Sequence, residues 1–302
     1  MALSLVFFSV FFLAFNVQYL LITAASHTEM VKLSGGRFKM GTDAKDGKDG
    51  EGPSKMVKVK SFLIDKFPVT NENFRKFVRE KNYKSEAEKF GWSFAFFSAV
   101  PAKTLSKIKQ SVQGAPWWIP VNRAFWRQPQ GPGTSIKDKM KHPAVHISYN
   151  DANEYCKWAG KRLPTEKEWE FAARGGLRDN TYPWGNNFEE KRMNIWQGRF
   201  PHENTKDDGY HWTAAVDAFP PQNDYGMCDM VGNAWEWVSD ELKTLGGGGE
   251  KKFVLRGGSY LDSVDGAFNH IARVTTRMGN TADAGSDNIT FRCAKNIPKV
   301  DL

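Results

Sequence analysis

Val254-Leu255-Arg256-Gly257-Gly258-Ser259-Tyr260 opens, and Phe291-Arg292-Cys293-Ala294 closes, the stretch on which the reading of this chain turns. The glycine pair lets the backbone turn sharply or approach a neighbour closely. Cys293 is one of 3 cysteines in 302 residues, and none stands between Tyr260 and Cys293. That interval holds acids, arginines, asparagines and one histidine, His270. Chemistry that requires a thiolate as nucleophile or soft-metal ligand finds none there.

Working outward, both ends of the chain look like addresses. Met1 to Ala25 is almost wholly apolar and aromatic, and Thr23, Ala24, Ala25 and Ser26 lead into polar chain. This predicts a secretory signal peptide over 1–25. No Lys or Arg precedes the apolar run, so a signal anchor is the competing reading, although Asn16 and Gln18 make it a poor membrane span. No later segment is apolar enough to cross a bilayer, which predicts a lumenal chain without a span after signal cleavage. Lys299-Val300-Asp301-Leu302 resembles the Lys-Asp-Glu-Leu tetrapeptide and departs from it at the second position. The expected localisation is the endoplasmic reticulum lumen, with partial secretion as the alternative.

Roughly 275 residues follow the signal segment, enough for one large core or two modest domains. With 27 glycines and 11 tryptophans and few helix-period segments, the chain should be rich in loops and short strands held by large aromatic side chains. The net charge of +8 is modest and its lysines are scattered along the sequence. No basic stripe with interleaved aromatics is evident, so nucleic acid is not an expected partner. Acidic protein surfaces stay open as partners.

Residues 30–42 alternate apolar and polar about a Gly-Gly step and predict a hairpin, followed by an exposed charged loop over 43–55. Alternation from Val57 to Phe67 predicts a strand ending at Pro68. Thr70 offers an N-cap for a helix over 71–81 with Phe74, Phe77 and Val78 on its apolar face. Between Lys84 and Met140 the pattern weakens. Trp92, Phe94, Phe96, Phe97, Trp117, Trp118, Phe125 and Trp126 are interspersed with prolines and glycines, which reads as irregular core or as a ligand groove. His142 and His146 should share one strand face; with no acid nearby to complete a metal site they read as structural. Ser148 can cap a helix with inner face Ala152, Tyr155, Cys156 and Ala159. Thr165 and Glu168 form the capping box of a second, with Trp169, Ala172 and Ala173 inward and Gly175-Gly176 as its stop. No internal repeat or linker appears, so one domain is expected.

Seven motifs then stand in order: Gly160-Lys161-Arg162-Leu163-Pro164-Thr165-Glu166-x-Glu168-Trp169-Glu170, Tyr182-Pro183-Trp184-Gly185, Asn194-Ile195-Trp196-Gln197-Gly198, Val216-Asp217-Ala218-Phe219-Pro220-Pro221, Val231-Gly232-Asn233-Ala234-Trp235-Glu236-Trp237, Arg256-Gly257-Gly258-Ser259-Tyr260 and Phe291-Arg292-Cys293-Ala294. The series resembles the formylglycine-generating enzyme (sulfatase-modifying factor) family over about residues 30–295. The resemblance implies an α+β fold of low regular-structure content, C-type-lectin-like, in a single domain over 26–298. It also implies calcium binding and action on newly made sulfatases in the endoplasmic reticulum. Active members oxidise a sulfatase cysteine to formylglycine with oxygen and a copper ion held by two cysteines.

In those members one cysteine stands two residues after Gly-Gly-Ser-Tyr and the other five further on. The same offsets fall here on Asp262 and Ala267, neither of which can supply a thiolate for soft copper. The resemblance therefore implies a vacated catalytic site, no copper, and kinship with the inactive branch of the family. Ser259-Tyr260 and the run Arg273–Asn280 fit that branch. A second family disulfide is missing at both ends, at Ala173 and Ala272, whereas Cys156 and Cys293 match the partners of a retained one. Cys228 is then either a buried free thiol or a site of intermolecular bridging.

The resemblance further implies two structural calcium sites. One would use Asn194 and Asp208 with carbonyls of Ile195 and Tyr210; the other would use Asp229, Gly232, Ala234 and Glu236, with Asp229 standing where the enzyme has asparagine. Hard oxygen ligands of this kind suit calcium. Asn288-Ile289-Thr290 is the only glycosylation sequon, placed in chain expected to be buried and so read as unoccupied. The expected function is a non-catalytic protein that binds sulfatases or the active formylglycine-generating enzyme and modulates, in the inhibitory sense, sulfatase activation. A homodimer or heterodimer is compatible with that role. The alternative is an oxidase with a metal site relocated to Asp262, His270 and Cys228.

Overall fold

The computed structural model describes residues 29–243, 250–266 and 269–298. The expected signal segment 1–25, the tail 299–302, the glycine run 246–249 and Ala267 lie outside the described residues. Among the described residues no helix is long and apolar enough to cross a membrane.

The N-terminal alternation makes strands, but not the expected hairpin. β1 (Met30–Leu33) pairs antiparallel with β4 (Phe62–Asp65), whereas β2 (Gly36–Met40) pairs with β3 (Lys55–Val59). Gly35, at φ +71°, swings the chain from one sheet to the other; a Cβ there would lie 2.4 Å from the Val59 carbonyl. The single strand expected over 57–67 is likewise two. Val59 and Phe62 are both buried while Lys60 and Ser61 are exposed, a three-residue step that breaks the period of two and lets each half serve its own sheet.

Helices form where the caps foretold. α1 (Asn71–Lys81) is capped by the Thr70 hydroxyl, which accepts from the Asn73 N–H. The aromatic region also yields α2 (Glu86–Phe90), whose capping box of Ser85 and Glu88 the sequence reading missed. It further contains the hairpin β5 (Trp92–Phe96)–β6 (Trp118–Asn122) and, between them, the single turn α3 (Ala102–Leu105). α4 (Tyr149–Trp158) and α5 (Glu166–Arg174) follow, each closed by a full capping box. His142 and His146 lie on no strand. His146 is fully buried, with ring nitrogens 2.8 Å from Ser93 Oγ and 2.7 Å from the Pro129 carbonyl, and burial lowers its pKa to about 4. A neutral ring satisfied at both nitrogens is a structural one.

The deciding stretch runs through two sheets. β7 (Trp235–Glu241) and β8 (Lys252–Arg256) form the centre of a four-stranded sheet in the order β10-β7-β8-β9, with β9 (Arg277–Thr281) at one edge. β10 (Ile289–Phe291) lies parallel to β7 at the other edge. β11 (Ala294–Asn296) then crosses to pair with β4 in the sheet β1-β4-β11. At the end of β8, Gly257 (φ +93°) passes so near the 230 loop that a Cβ would meet the Met230 carbonyl at 2.6 Å and the Trp169 ring at 3.0 Å. The glycine pair thus serves both of its expected uses.

Where β10 gives way to β11, Cys293 is bonded to Cys156 of α4, with Cα atoms 5.7 Å apart across 137 residues of sequence. Phe74, Phe77, Trp126, Tyr155, Trp235, Trp237 and Phe291 pack around this bridge. Each such buried side chain contributes about 1.5–3 kcal/mol by leaving water. Ala173 and Ala272 are both fully buried in the other large cluster, so methyl groups fill that part of the core. Cys228 is a buried free cysteine.

Candidate functional site: an aromatic cleft over a vacated centre

Leu261 and Asp262, at the end of the turn Ser259–Asp262, lie on the floor of a cleft of about 830 Å³. Its walls come from three places. The β5–β6 excursion supplies Trp92, Phe94, Trp117 and Trp118; β7 and β9 supply Trp235, Met278 and Asn280; the segment before β10 supplies Asp283, Gly285, Ser286 and Asn288. The aromatic region is therefore both core and groove. Along β5, Ser93 and Ala95 turn into the protein while Trp92 is exposed and Phe94 half-buried, with their rings edge to face at 5.0 Å. Both faces of β5 carry apolar residues, so hydrophobic periodicity alone could not tell wall from core. The wall is pinned to the deciding stretch: Phe96 N–H donates to Asp287 Oδ2 at 3.0 Å, and Ser93 Oγ, whose proton serves His146 Nδ1, lies 3.0 Å from the Gly285 carbonyl.

Asp262 is buried and fully engaged. Its Oδ2 accepts from the Ser259 N–H at 2.7 Å and the Ser259 hydroxyl at 2.8 Å, and its Oδ1 from the His270 N–H at 3.2 Å. Asn288 Nδ2 donates to Ser259 Oγ at 3.0 Å, and Asn288 Oδ1 accepts from Ser286 Oγ at 2.7 Å. The carboxylate thus closes a polar turn at the end of the Gly257-Gly258-Ser259-Tyr260 stretch. The same contacts place the glycan-accepting nitrogen of Asn288 inside the floor, with the residue 4% exposed.

His270 bridges this floor to the loop 43–54. Its Nδ1 lies 3.6 Å from Asp262 Oδ1 and its Nε2 3.2 Å from Asp49 Oδ2, with the Trp235 ring edge-on at 5.0 Å. That loop was expected to be simply exposed. Its Glu51 is instead buried, receiving Arg273 Nε at 2.8 Å and the Thr275 hydroxyl at 2.6 Å, while Arg277 reaches the Asp49 carbonyl at 2.8 Å. Burial pulls the His270 pKa down, but its bonds to Asp262 and Asp49 outweigh that and hold it at about 9. A raised folded-state pKa stabilises fully below the unfolded value, about 6.5, and the gain is lost as pH rises through about 9. His270→Gln is expected to remove that part of the decline in melting temperature across this window, measured by thermal melts at stepped pH. An unchanged decline would show that His270 does not hold the loop.

The three side chains of the relocated-metal alternative do not converge. Asp262 and His270 line the cleft, but Cys228 does not; its N–H bonds the Lys66 carbonyl, and its thiol is pushed up to about 11, first by burial and then by Asp229. Among the described residues no group of three or more His, Cys, Asp or Glu side chains is arranged to hold a metal ion.

The residues expected to bind calcium do come together in two adjoining loops. Asp208, buried, takes the Ile195 N–H on Oδ2 at 3.0 Å and the Tyr210 N–H on Oδ1 at 2.8 Å. Burial raises its pKa from the ordinary aspartate value. Asn194 Nδ2 donates to the Trp212 carbonyl at 2.7 Å and to Asn233 Oδ1 at 3.2 Å; Asn233 Nδ2 in turn reaches Asp229 Oδ2 at 2.8 Å. Asn233 thereby stitches the first set to the second. Both Asp208 oxygens thus already accept a backbone N–H; carboxylate and carbonyl oxygens are the donor type that calcium takes. In the second loop, Glu236 already carries three donors: Arg292 Nε at 2.7 Å, Arg292 Nη2 at 2.6 Å and Trp169 Nε1 at 2.9 Å.

A family profile described as the sulfatase-modifying factor enzyme 1-like domain matches residues 21–297. The chain is 58% identical over 265 residues to the inactive C-alpha-formylglycine-generating enzyme 2 of Bos taurus, covering 88% of this chain and 87% of that protein. It is 56% identical over 280 residues to the protein of that name in Mus musculus, covering 92% and 90%. Against the formylglycine-generating enzyme of Mus musculus it is 45% identical over 289 residues, covering 91% and 77%. Among solved structures, PvdO from Pseudomonas aeruginosa shares the fold with a TM-score of 0.61 at 24% identity, covering 89% of this chain and 94% of that one.

Proposed function

The chain belongs to the sulfatase-modifying factor (formylglycine-generating enzyme) family, and from that premise we propose that it is a non-catalytic, lumenal peptide-binding member. It binds an extended segment of a sulfatase, or of the active enzyme, in the aromatic cleft, and so modulates sulfatase activation. The observation that carries this reading is a cleft large enough for a peptide whose floor holds the closed Ser259–Asp262 turn. A carboxylate that already accepts three donors is neither a nucleophile nor a soft ligand, so what remains is recognition: apolar walls, and a few polar groups along the floor to fix register. Labelled sulfatase peptide should bind the protein, and Trp118→Ala should weaken binding at least about tenfold, the scale of an aromatic anchor. Equal binding by this variant and the parent would remove the cleft from the account.

Calcium belongs to the same proposal as a structural ion. Asn194 and Asp208, with carbonyls of Ile195 and Tyr210, would hold it in a loop that lacks a ladder of backbone hydrogen bonds. Its binding free energy then adds to folding by mass action, about 2.7 kcal/mol at a hundredfold excess over Kd. Chelation is expected to lower the melting temperature, and Asp208→Ala to abolish that response while leaving a folded protein. A variant with the full calcium response would place the ion elsewhere. Retention in the endoplasmic reticulum lumen through Lys299–Leu302 completes the proposal, since sulfatase maturation takes place there.

A further inference from the structure

Between Gly91 and His142 the chain carries six lysines and two arginines against one aspartate, which is seven of its eight net positive charges. Lysines that look scattered along the sequence are thus concentrated in the excursion that builds one cleft wall. Elsewhere the surface mixes its signs: Lys39 pairs with Asp43 and Asp179, Lys66 with Glu29 and Lys157 with Glu154. In the excursion, Lys141 alone forms a salt bridge among the described residues, with Asp217 at 2.7 Å. Lys103, Lys107, Lys109, Arg123, Arg127 and Lys137 are all exposed.

The fold sets these charges close to one another. Leu105 and Ile108 pack down onto Ala95, Val100, Ile119, Val121 and Ala124, so the turn that begins with α3 lies flat on the hairpin. Lys103 and Lys107 stand four residues apart across that turn, a spacing at which like charges repel. The turn after β6 adjoins it: a Cβ on Gly131 would meet Val121 Cγ1 at 2.5 Å and Thr104 Cγ2 at 3.8 Å. Gln128 Nε2 holds that turn through the Arg123 carbonyl at 2.8 Å. Arg127 lies over the Trp126 ring at 4.8 Å. The same excursion sends Val112, Trp117 and Trp118 into the cleft. The basic residues themselves lie outside the cleft lining, in the same excursion, and a surface of one sign carries a self-repulsion that an anionic partner relieves.

We propose that this basic excursion extends the cleft's binding surface, so that a polypeptide held by apolar residues in the cleft lays an acidic flanking segment across Lys103, Lys107, Lys109 and Arg123. The proposal rests on the cleft being a peptide site, as above, and adds the charge of the peptide it takes. Complementary charge of this kind raises the association rate and selects among partners, and it weakens with salt.

The test uses two labelled synthetic peptides sharing one apolar centre of leucine, alanine and proline, one flanked by a run of glutamates and the other by a run of serines. Binding is read by fluorescence anisotropy on the whole protein, on Lys103→Gln/Lys107→Gln/Arg123→Gln, and on Trp118→Ala. The glutamate-flanked peptide should bind about tenfold more tightly than its serine counterpart at low salt. That advantage should disappear in the triple variant and at about 300 mM salt, while the serine-flanked peptide binds parent and triple variant alike. Equal affinity for the two peptides, or an advantage that survives the triple variant, overturns the inference and leaves the cleft reading intact. Loss of binding to heparin in the triple variant without loss of the acidic-peptide advantage assigns the surface to sulfated polysaccharide and also overturns it. Failure of both peptides to bind, or binding of both unaffected by Trp118→Ala, overturns the cleft reading along with it.

Discussion

Cys156→Ser is expected to lower the free energy of unfolding by about 5 kcal/mol, read as a fall in the urea midpoint under conditions that keep the parent oxidised. The bridge joins residues 137 apart in sequence, and closing a loop of that length removes about 5 kcal/mol of unfolded-chain entropy in the chain-entropy model. Cys293→Ser should give the same loss, because either change opens the same loop. The effect is large because the bridge joins α4 to the junction between the two main sheets, where β10 passes into β11. Both cysteines are fully buried among Tyr155, Trp235 and Phe291, so the serine hydroxyl adds a polar group without an assigned partner. A loss below about 1 kcal/mol would show that the surrounding aromatic packing holds that junction without the bridge.

Arg292→Met is expected to cost about 3–5 kcal/mol, the scale for leaving one member of a buried ion pair uncompensated. Arg292 is fully buried and forms a fork with Glu236 at 2.6 and 2.7 Å. Its remaining donors reach the carbonyls of Lys66 at 2.9 Å and Cys228 at 2.8 Å. One side chain thereby ties the end of β4, the 228 loop and β7 together. Adding Glu236→Gln should recover part of the loss, because the stranded charge is then gone while the Trp169 bond can persist. A double variant no more stable than Arg292→Met alone would mean that the carbonyl contacts, not the stranded carboxylate, set the cost. Glu236 is also an expected ligand of the second calcium loop, so the calcium response of the double variant reports whether that carboxylate serves the ion or only the arginine.

These two predictions mark what could be read along the chain and what could not. Capping boxes are local: Ser148 with Asp151 and Thr165 with Glu168 are three residues apart, and both helices begin where those residues stand. The cysteine pairing came through motif resemblance, which carries long-range information that spacing lacks. Pairings made across the fold left no local signal. Arg273 and Glu51 are 222 residues apart, and β10 lies beside β7 in parallel although the intervening chain passes through two other strands of the sheet. The aromatic region was legible as core or groove but not as which residue serves which. On β5 the exposed Trp92 and the buried Phe96 are both aromatic, so composition could not separate wall from core. The expectation of a vacated centre, in contrast, rests on two positions alone, because a missing thiolate is a matter of residue identity. What the fold adds is the use made of Asp262, as acceptor to Ser259 and His270.

The central claim is recognition without chemistry, and a single measurement addresses both halves. A sulfatase-derived peptide containing the target cysteine is incubated with the protein, copper and oxygen, and the bound peptide is recovered and weighed by mass spectrometry. The account predicts peptide that is retained by the protein and unchanged in mass. Conversion of its cysteine to formylglycine would contradict it.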